Sequence, residues 1–169
     1  DDTQLERRES ASATLAEARR WIKAHLDHQS CLEAIREIHA DIDRTVAAAR
    51  PRCENCGRCC AFDRAGHRLY VTTLEMLYFF HGLKKKPALK PSARARAQRL
   101  GQCPYRQDGG CLMREYRPAS CRIYYCRGLT QGYQSELTEQ VLRRLRRLHE
   151  RYHAVYYYAE LGAWLDGDL

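Results

Sequence analysis

The chain has 169 residues, 44% hydrophobic and 30% charged, enough to bury a core of its own and the wrong mix for a disordered or collagenous protein. Its longest strongly apolar stretch, near residues 155–165, is interrupted by Glu160, and no apolar segment follows Asp1, so neither a membrane span nor a signal peptide is expected. Two features stand out: nine cysteines and a formal net charge of +8. In chain order, Leu15, Ala18, Ile22 and Leu26 recur at helical spacing and predict a helix over residues 12–28. Leu32, Ile35, Ile38, Ile42 and Val46 form one stripe and predict a second helix over residues 31–49, ended by Pro51. Residues 53–60 read as a loop turning at Gly57, and His67–Val71 as a short strand. Thr72-Thr73-Leu74-Glu75 resembles a capping box, opening a short apolar helix through Phe80 that stops at Gly82.

Residues 84–99 carry Lys84, Lys85, Lys86, Lys90, Arg94, Arg96 and Arg99 with no acid among them. Such a run suits an acidic or protein partner. With few aromatics interleaved it is a weak signal for nucleic acid and reads first as a solvated loop and helix. Between Cys103 and Cys126 the chain is rich in turns, with Asp108-Gly109-Gly110 as a tight one. From Gln134 to Asp166, Leu137, Val141, Leu145, Leu148, Tyr152, Val155 and Ala159 step by three or four and predict one long helix, with Arg143, Arg144, Arg146, Arg147 and Arg151 on its other face. The expected fold is mainly α: a single domain over residues 1–169, with a helical hairpin (1–50), a loop-rich cysteine metal-binding core with little β structure (51–128) and the long C-terminal helix (134–166).

The cysteines carry the chemistry. Cys53, Cys56, Cys59 and Cys60 place four thiols in eight residues, and Cys103, Cys111, Cys121 and Cys126 follow. Thiols so close along the chain seldom each find a distant disulfide partner, whereas two-residue spacers let successive sulfurs converge on one ion or cluster. These eight are read as metal ligands in a reducing, cytoplasmic compartment, and Cys31, in a helical pattern, as a small core residue. Eight thiolates on two 2+ centres would bring the net charge to about +4. Neighbouring arginines would help keep the ligands ionised.

CxxC spacing is shared by zinc and iron–sulfur sites. Three thiols at CxxCxxC plus the remote Cys103-Pro104 resemble the ligation of a 4Fe–4S cluster in bacterial ferredoxins, so that cluster is the preferred cofactor and Zn2+ the alternative, with disulfides the remaining one. Cys59-Cys60 has no ferredoxin counterpart. In extended backbone those two side chains would point opposite ways, serving different centres or leaving one non-ligating. Around the ligands, Arg117 and Arg122 are candidates to hydrogen-bond sulfur, to clamp an anionic substrate such as a carboxylate, or to hold the loop through backbone carbonyls. Tyr124-Tyr125 is placed to cover the centre and exclude water. His67 reads as a hydrogen-bonded loop histidine, and the His149/His153 pair as surface residues.

The order Cys53-x2-Cys56-x2-Cys59-Cys60, Cys103, Cys111, then Arg117-Pro118-x2-Cys121-Arg122-x3-Cys126 resembles the CxxCxxCC family of zinc- or iron-chelating proteins, which includes flagellin lysine N-methylase. The resemblance covers residues 53–126, with Gly57 inside the first motif and the Thr73/Glu75 region similar to the family's pattern. It departs at Arg114, where Tyr or His is expected. It implies a cysteine-bound metal centre and raises protein-lysine methylation as an activity, although no Gly-rich dinucleotide loop follows a strand. Three functions are therefore expected in descending order. The first is a cysteine-ligated metal protein, iron–sulfur before zinc, with a redox, sensing or structural role. The second is a methyltransferase-like enzyme using the cluster. The third is a zinc-stapled nucleic-acid-binding module built on Lys84–Arg99.

Overall fold

A computed structural model of the chain describes residues 13–167 and 169. Residue 12, where the first helix is expected to begin, and the preceding part of the 1–50 hairpin lie outside the described residues. Helix α1 runs over Leu15–His25, opened by a capping box in which the Thr14 hydroxyl accepts from the Glu17 N–H while the Glu17 carboxylate accepts from the Thr14 N–H. Helix α2 follows at once, over Gln29–Ala48. The stripe read from the sequence is its buried face, and it serves two apolar clusters. Leu32 and Ile35 join Ala18 and Ile22 in the larger one, while Ile38, Ile42 and Val46 belong to a second. Cys31 is fully buried in the larger cluster, where burial raises its thiol to about 12, so it behaves as a small apolar residue.

Helix α4 (Thr73–Leu83) is the central element, packing against both α1 and α2. Almost every side chain on it is buried, which explains why its sequence shows apolar content rather than a stripe. The predicted capping box is present, with Thr72 as the cap. Gly82 does not stop the helix, which continues to Leu83. A Cβ at Gly82 would fall 2.0 Å from the Tyr116 ring, so the missing side chain gives that ring its place. Short strand β1 (Tyr70–Thr72) pairs antiparallel with β4 (Tyr158–Glu160), Val71 opposite Ala159. Strands β2 (Arg106–Gln107) and β3 (Gly110–Cys111) form a two-residue-loop hairpin at the predicted turn, with Gly109 at φ +80°. The remaining helices are α3 (Phe62–Ala65), α5 (Pro91–Arg99), α6 (Ala119–Ile123), α7 (Gln131–Arg151) and α8 (Leu161–Leu165). The fold is mainly α, as expected.

The 134–166 helix is corrected. Helix α7 starts at Gln131 and ends at Arg151, and the continuation of its apolar spacing through Val155 and Ala159 does not prolong it. His153 adopts φ +49°, which ends the helical backbone, and Tyr158–Glu160 enters the sheet with β1. The segment Val155–Tyr158, β-branched and aromatic, suits an extended backbone better than a helix. Beyond it α8 returns to the core, with Trp164 fully buried and its indole N–H donating to the Val71 carbonyl at 3.3 Å. No helix among the described residues is long and apolar enough to cross a membrane.

Candidate metal centre

The first cysteine group leaves α2 through Pro51 and forms the predicted loop. Gly57 sits at φ +70°, a conformation that favours glycine, and the Arg106 side chain lies directly against it. Arg58–Cys60 is then one turn of 3₁₀ helix rather than extended backbone. This corrects the expectation for Cys59 and Cys60: in the tight turn both thiols face the same side, with their sulfurs 4.0 Å apart. The second group reaches the first through the backbone, the Cys103 N–H donating to the Cys60 carbonyl at 2.8 Å. The β2–β3 hairpin brings Cys111 alongside, and α6 brings Cys121.

All eight motif cysteines line one cavity of about 90 Å³, together with Phe62, Leu69, Phe79, Met113 and Tyr124. Cys103 is buried, Cys59, Cys60, Cys111 and Cys121 are half-buried, and Cys53, Cys56 and Cys126 are exposed around the mouth. None of the nine cysteines forms a disulfide. As the side chains lie, no group of three or more His, Cys, Asp or Glu among the described residues is close enough to hold a metal ion. The convergence is therefore of eight thiols on one space, not of a finished coordination shell. As a donor set they suit soft, thiophilic ions: sulfur is the only donor type the set supplies in number.

The inner thiols sense one another. Side-chain hydrogen bonding with Cys60 lowers Cys59 to about 6 against desolvation, helped by the Arg117 and Arg106 charges, and Cys60 is raised in turn as the partner that keeps its proton. Burial raises Cys103 to about 12, and raises Cys111 and Cys121 in the same direction. Repulsion from neighbouring thiolates adds to each of these three. Thiols that resist ionisation in a partly apolar cavity are held as thiolates by a bound cation, whose charge reverses the local balance.

The flanking candidates separate. Arg117 and Tyr124 line the thiol cavity, but Arg122 is not among the residues that line it. Arg122 is buried with its guanidinium committed elsewhere: Nε donates to the Arg117 carbonyl (2.8 Å), Nη2 to the Glu115 carbonyl (2.6 Å), and Nη1 pairs with Asp43 (2.6 Å). It shapes the loop that carries Cys121 rather than facing sulfur. His67 stacks on Tyr124 with ring centres 4.2 Å apart, and its Nε2 is 3.0 Å from the Cys59 carbonyl, so it braces the 3₁₀ turn. Tyr125 also lines the cavity.

Glu75 is the site residue the sequence reading missed as such. Fully buried, it closes the capping box with one carboxyl oxygen, and with the other it accepts the Ala119 N–H at 2.9 Å, where α6 begins two residues before Cys121. Its capping spacing signalled the first role, and nothing local could signal the second. His149 is a further correction. It is buried, not on the surface, with Nδ1 donating to the Leu145 carbonyl (2.8 Å) and Nε2 accepting from the Leu74 N–H (3.4 Å). His153, beyond the end of α7, is not its partner on a helix face. In the basic run, Lys84 pairs with Asp27 at 2.6 Å, and Lys85 and Lys86 lie over the Tyr116 ring. Three of its cations are thus engaged within the molecule. Comparison of the chain with family models, with curated proteins and with solved structures yields no match in any of the three.

Proposed function

We propose that this chain is a cysteine-ligated metal protein of the CxxCxxCC type, with a 4Fe–4S cluster as its preferred cofactor. The observation that carries the reading is the convergence of eight thiols, from two stretches more than forty residues apart, on one cavity. Cys59, Cys60, Cys103, Cys111 and Cys121 would supply the inner ligands and Cys53, Cys56 and Cys126 the outer ones. When bound there, an iron–sulfur cluster supplies one-electron chemistry. The chain's own part is to keep the ligands together and shed water from them: Phe62, Leu69, Phe79 and Met113 form the apolar wall, and Arg117 sets positive charge beside the thiolates.

Zinc is the second reading, and one observation favours it. The 4.0 Å between the Cys59 and Cys60 sulfurs is close to the roughly 3.8 Å edge of a tetrahedron with Zn–S bonds of about 2.3 Å. Protein purified without oxygen distinguishes the two. A brown solution with broad absorption near ~400 nm, iron and acid-labile sulfide supports the cluster. A colourless protein with stoichiometric zinc selects the second reading, and a protein with neither metal removes both.

A further inference from the structure

Beside the thiol cavity, and separate from it, lies an open cleft of about 640 Å³ between α2 and the segment 114–125. Its lining holds five arginines, Arg36, Arg50, Arg114, Arg117 and Arg122, against two carboxylates, Asp43 and Glu115. Arg122 is already satisfied, and its pairing with Asp43 shows how a carboxylate seats on a guanidinium at this place. Arg36, Arg50, Arg114 and Arg117 have no ion pair among the described residues. Like charges gathered in one cleft repel unless an anion joins them.

A second observation is independent of charge. His39 lines the same cleft, is 2% exposed, and neither of its ring nitrogens has a hydrogen-bond partner. The Arg117 Nε is likewise buried and unpartnered. Buried polar groups are nearly always satisfied, so unpaired donors in the wall of an open cleft point to a ligand that pairs them. His39 also meets the Tyr78 ring edge-on at 5.2 Å, which fixes its orientation.

We infer that this cleft binds a small organic anion carrying a phosphoryl or carboxylate group. Arg36 and Arg50, exposed at the rim, capture the anion, and Arg117 and His39 pair it deeper in. The volume matches small-molecule sites and is far too small for a duplex. Arg114, Arg117 and Tyr125 belong to both walls, so the bound anion sits across the two arginines from the thiols. The inference does not rest on the metal reading, because none of the eight motif cysteines lines the cleft.

Calorimetric titration of the full chain with inorganic phosphate, and separately with succinate, at constant ionic strength tests the site. Saturable one-to-one binding of either is expected, the tighter of the two identifying the recognised group. Arg36→Ala and Arg117→Gln should each weaken binding at least tenfold and His39→Leu at least threefold, whereas Arg143→Ala, on the exposed face of α7, should change it less than twofold. Arg36 is exposed, so its replacement leaves the fold intact and the result readable. Absence of saturable binding for both anions, or equal loss in Arg36→Ala and Arg143→Ala, overturns the assignment. Metal content assayed on the same samples keeps a failure here distinct from a failure of the metal proposal.

Discussion

The helical frame and the thiol-lined middle share one apolar core but differ in how far their elements could persist by themselves. The frame, α1, α2, α4 and α7 with the α8 return, supplies most of two apolar clusters, and the larger of them also takes in Cys103, with Cys60, Cys111 and Cys121 packed against it. The middle has one turn of 3₁₀ helix, a hairpin of two-residue strands and a five-residue helix, elements too short to persist by themselves. Phe62, Tyr105, Met113 and Tyr116 anchor it in the larger apolar cluster, and hydrogen bonds tie Cys103 to Cys60 through the backbone, His67 to Cys59, and Glu75 to the start of α6. Under the metal proposal the frame folds by apolar burial, whereas the middle, anchored in that same burial, would gain further definition from a bound ion.

The largest expected effect breaks the frame. Leu77→Ala, at a fully buried position of α4, should cost about 2–5 kcal/mol of unfolding free energy with or without metal, as measured by denaturant titration. Acid acts on the frame next. Burial holds the His149 imidazole at about 4 against an ordinary 6.5, so its neutral form stabilises the fold fully above pH 6.5. That contribution is lost as pH falls from 6.5 toward 4, about 3 kcal/mol in all. His39, lowered by burial and by the Arg122 and Arg117 charges, acts in the same sense. Glu75, raised by burial, acts in the opposite sense, since a raised carboxyl makes the fold less favoured as pH rises. His149→Gln should flatten the stability–pH curve between pH 6.5 and 4. An unchanged slope would place the acid sensitivity elsewhere.

Glu75→Gln joins the two regions and sharpens the contrast. A carboxyl oxygen that accepts two bonds from Thr72 is replaced in part by a donor, at a cost of about 1–3 kcal/mol, with faster amide exchange at the start of α6 as its local mark. Cys121→Ser and Cys56→Ser should lower bound metal and loosen residues 53–60 and 103–126, while far-ultraviolet circular dichroism changes little. Collapse of the whole helical signal would show that frame and middle are not separable. The smallest effect is Cys31→Ala: about 1 kcal/mol and no change in metal content, because Cys31 packs against the frame.

Local rules made much of the frame, and one turn of the middle, legible. The Leu32–Val46 stripe, the Thr72/Glu75 box and the Gly109 turn each depend on neighbours within a few residues. What the sequence concealed depended on distant partners. The end of α7 was hidden because apolar spacing continues past it, while β1, more than eighty residues earlier, claims Tyr158–Glu160. His149 reads as a surface residue because its acceptor role needs the Leu74 N–H, 75 positions away. Cys59 and Cys60 were misplaced by assuming extended backbone where the chain makes a tight turn. The spacing drew attention to eight cysteines, and these line one cavity. The arginine cleft was only hinted at by Arg117, because Arg36 on α2 and Arg50 just beyond its end reach it from more than sixty residues earlier.

X-ray absorption at the metal edge of anaerobically purified protein tests the central proposal most directly, since it reads the atoms bound to the ion. A first shell made of sulfur alone, weakened in Cys121→Ser, is the predicted result. A shell of nitrogen and oxygen, or metal-free protein in which all eight motif cysteines titrate as thiols, would contradict it.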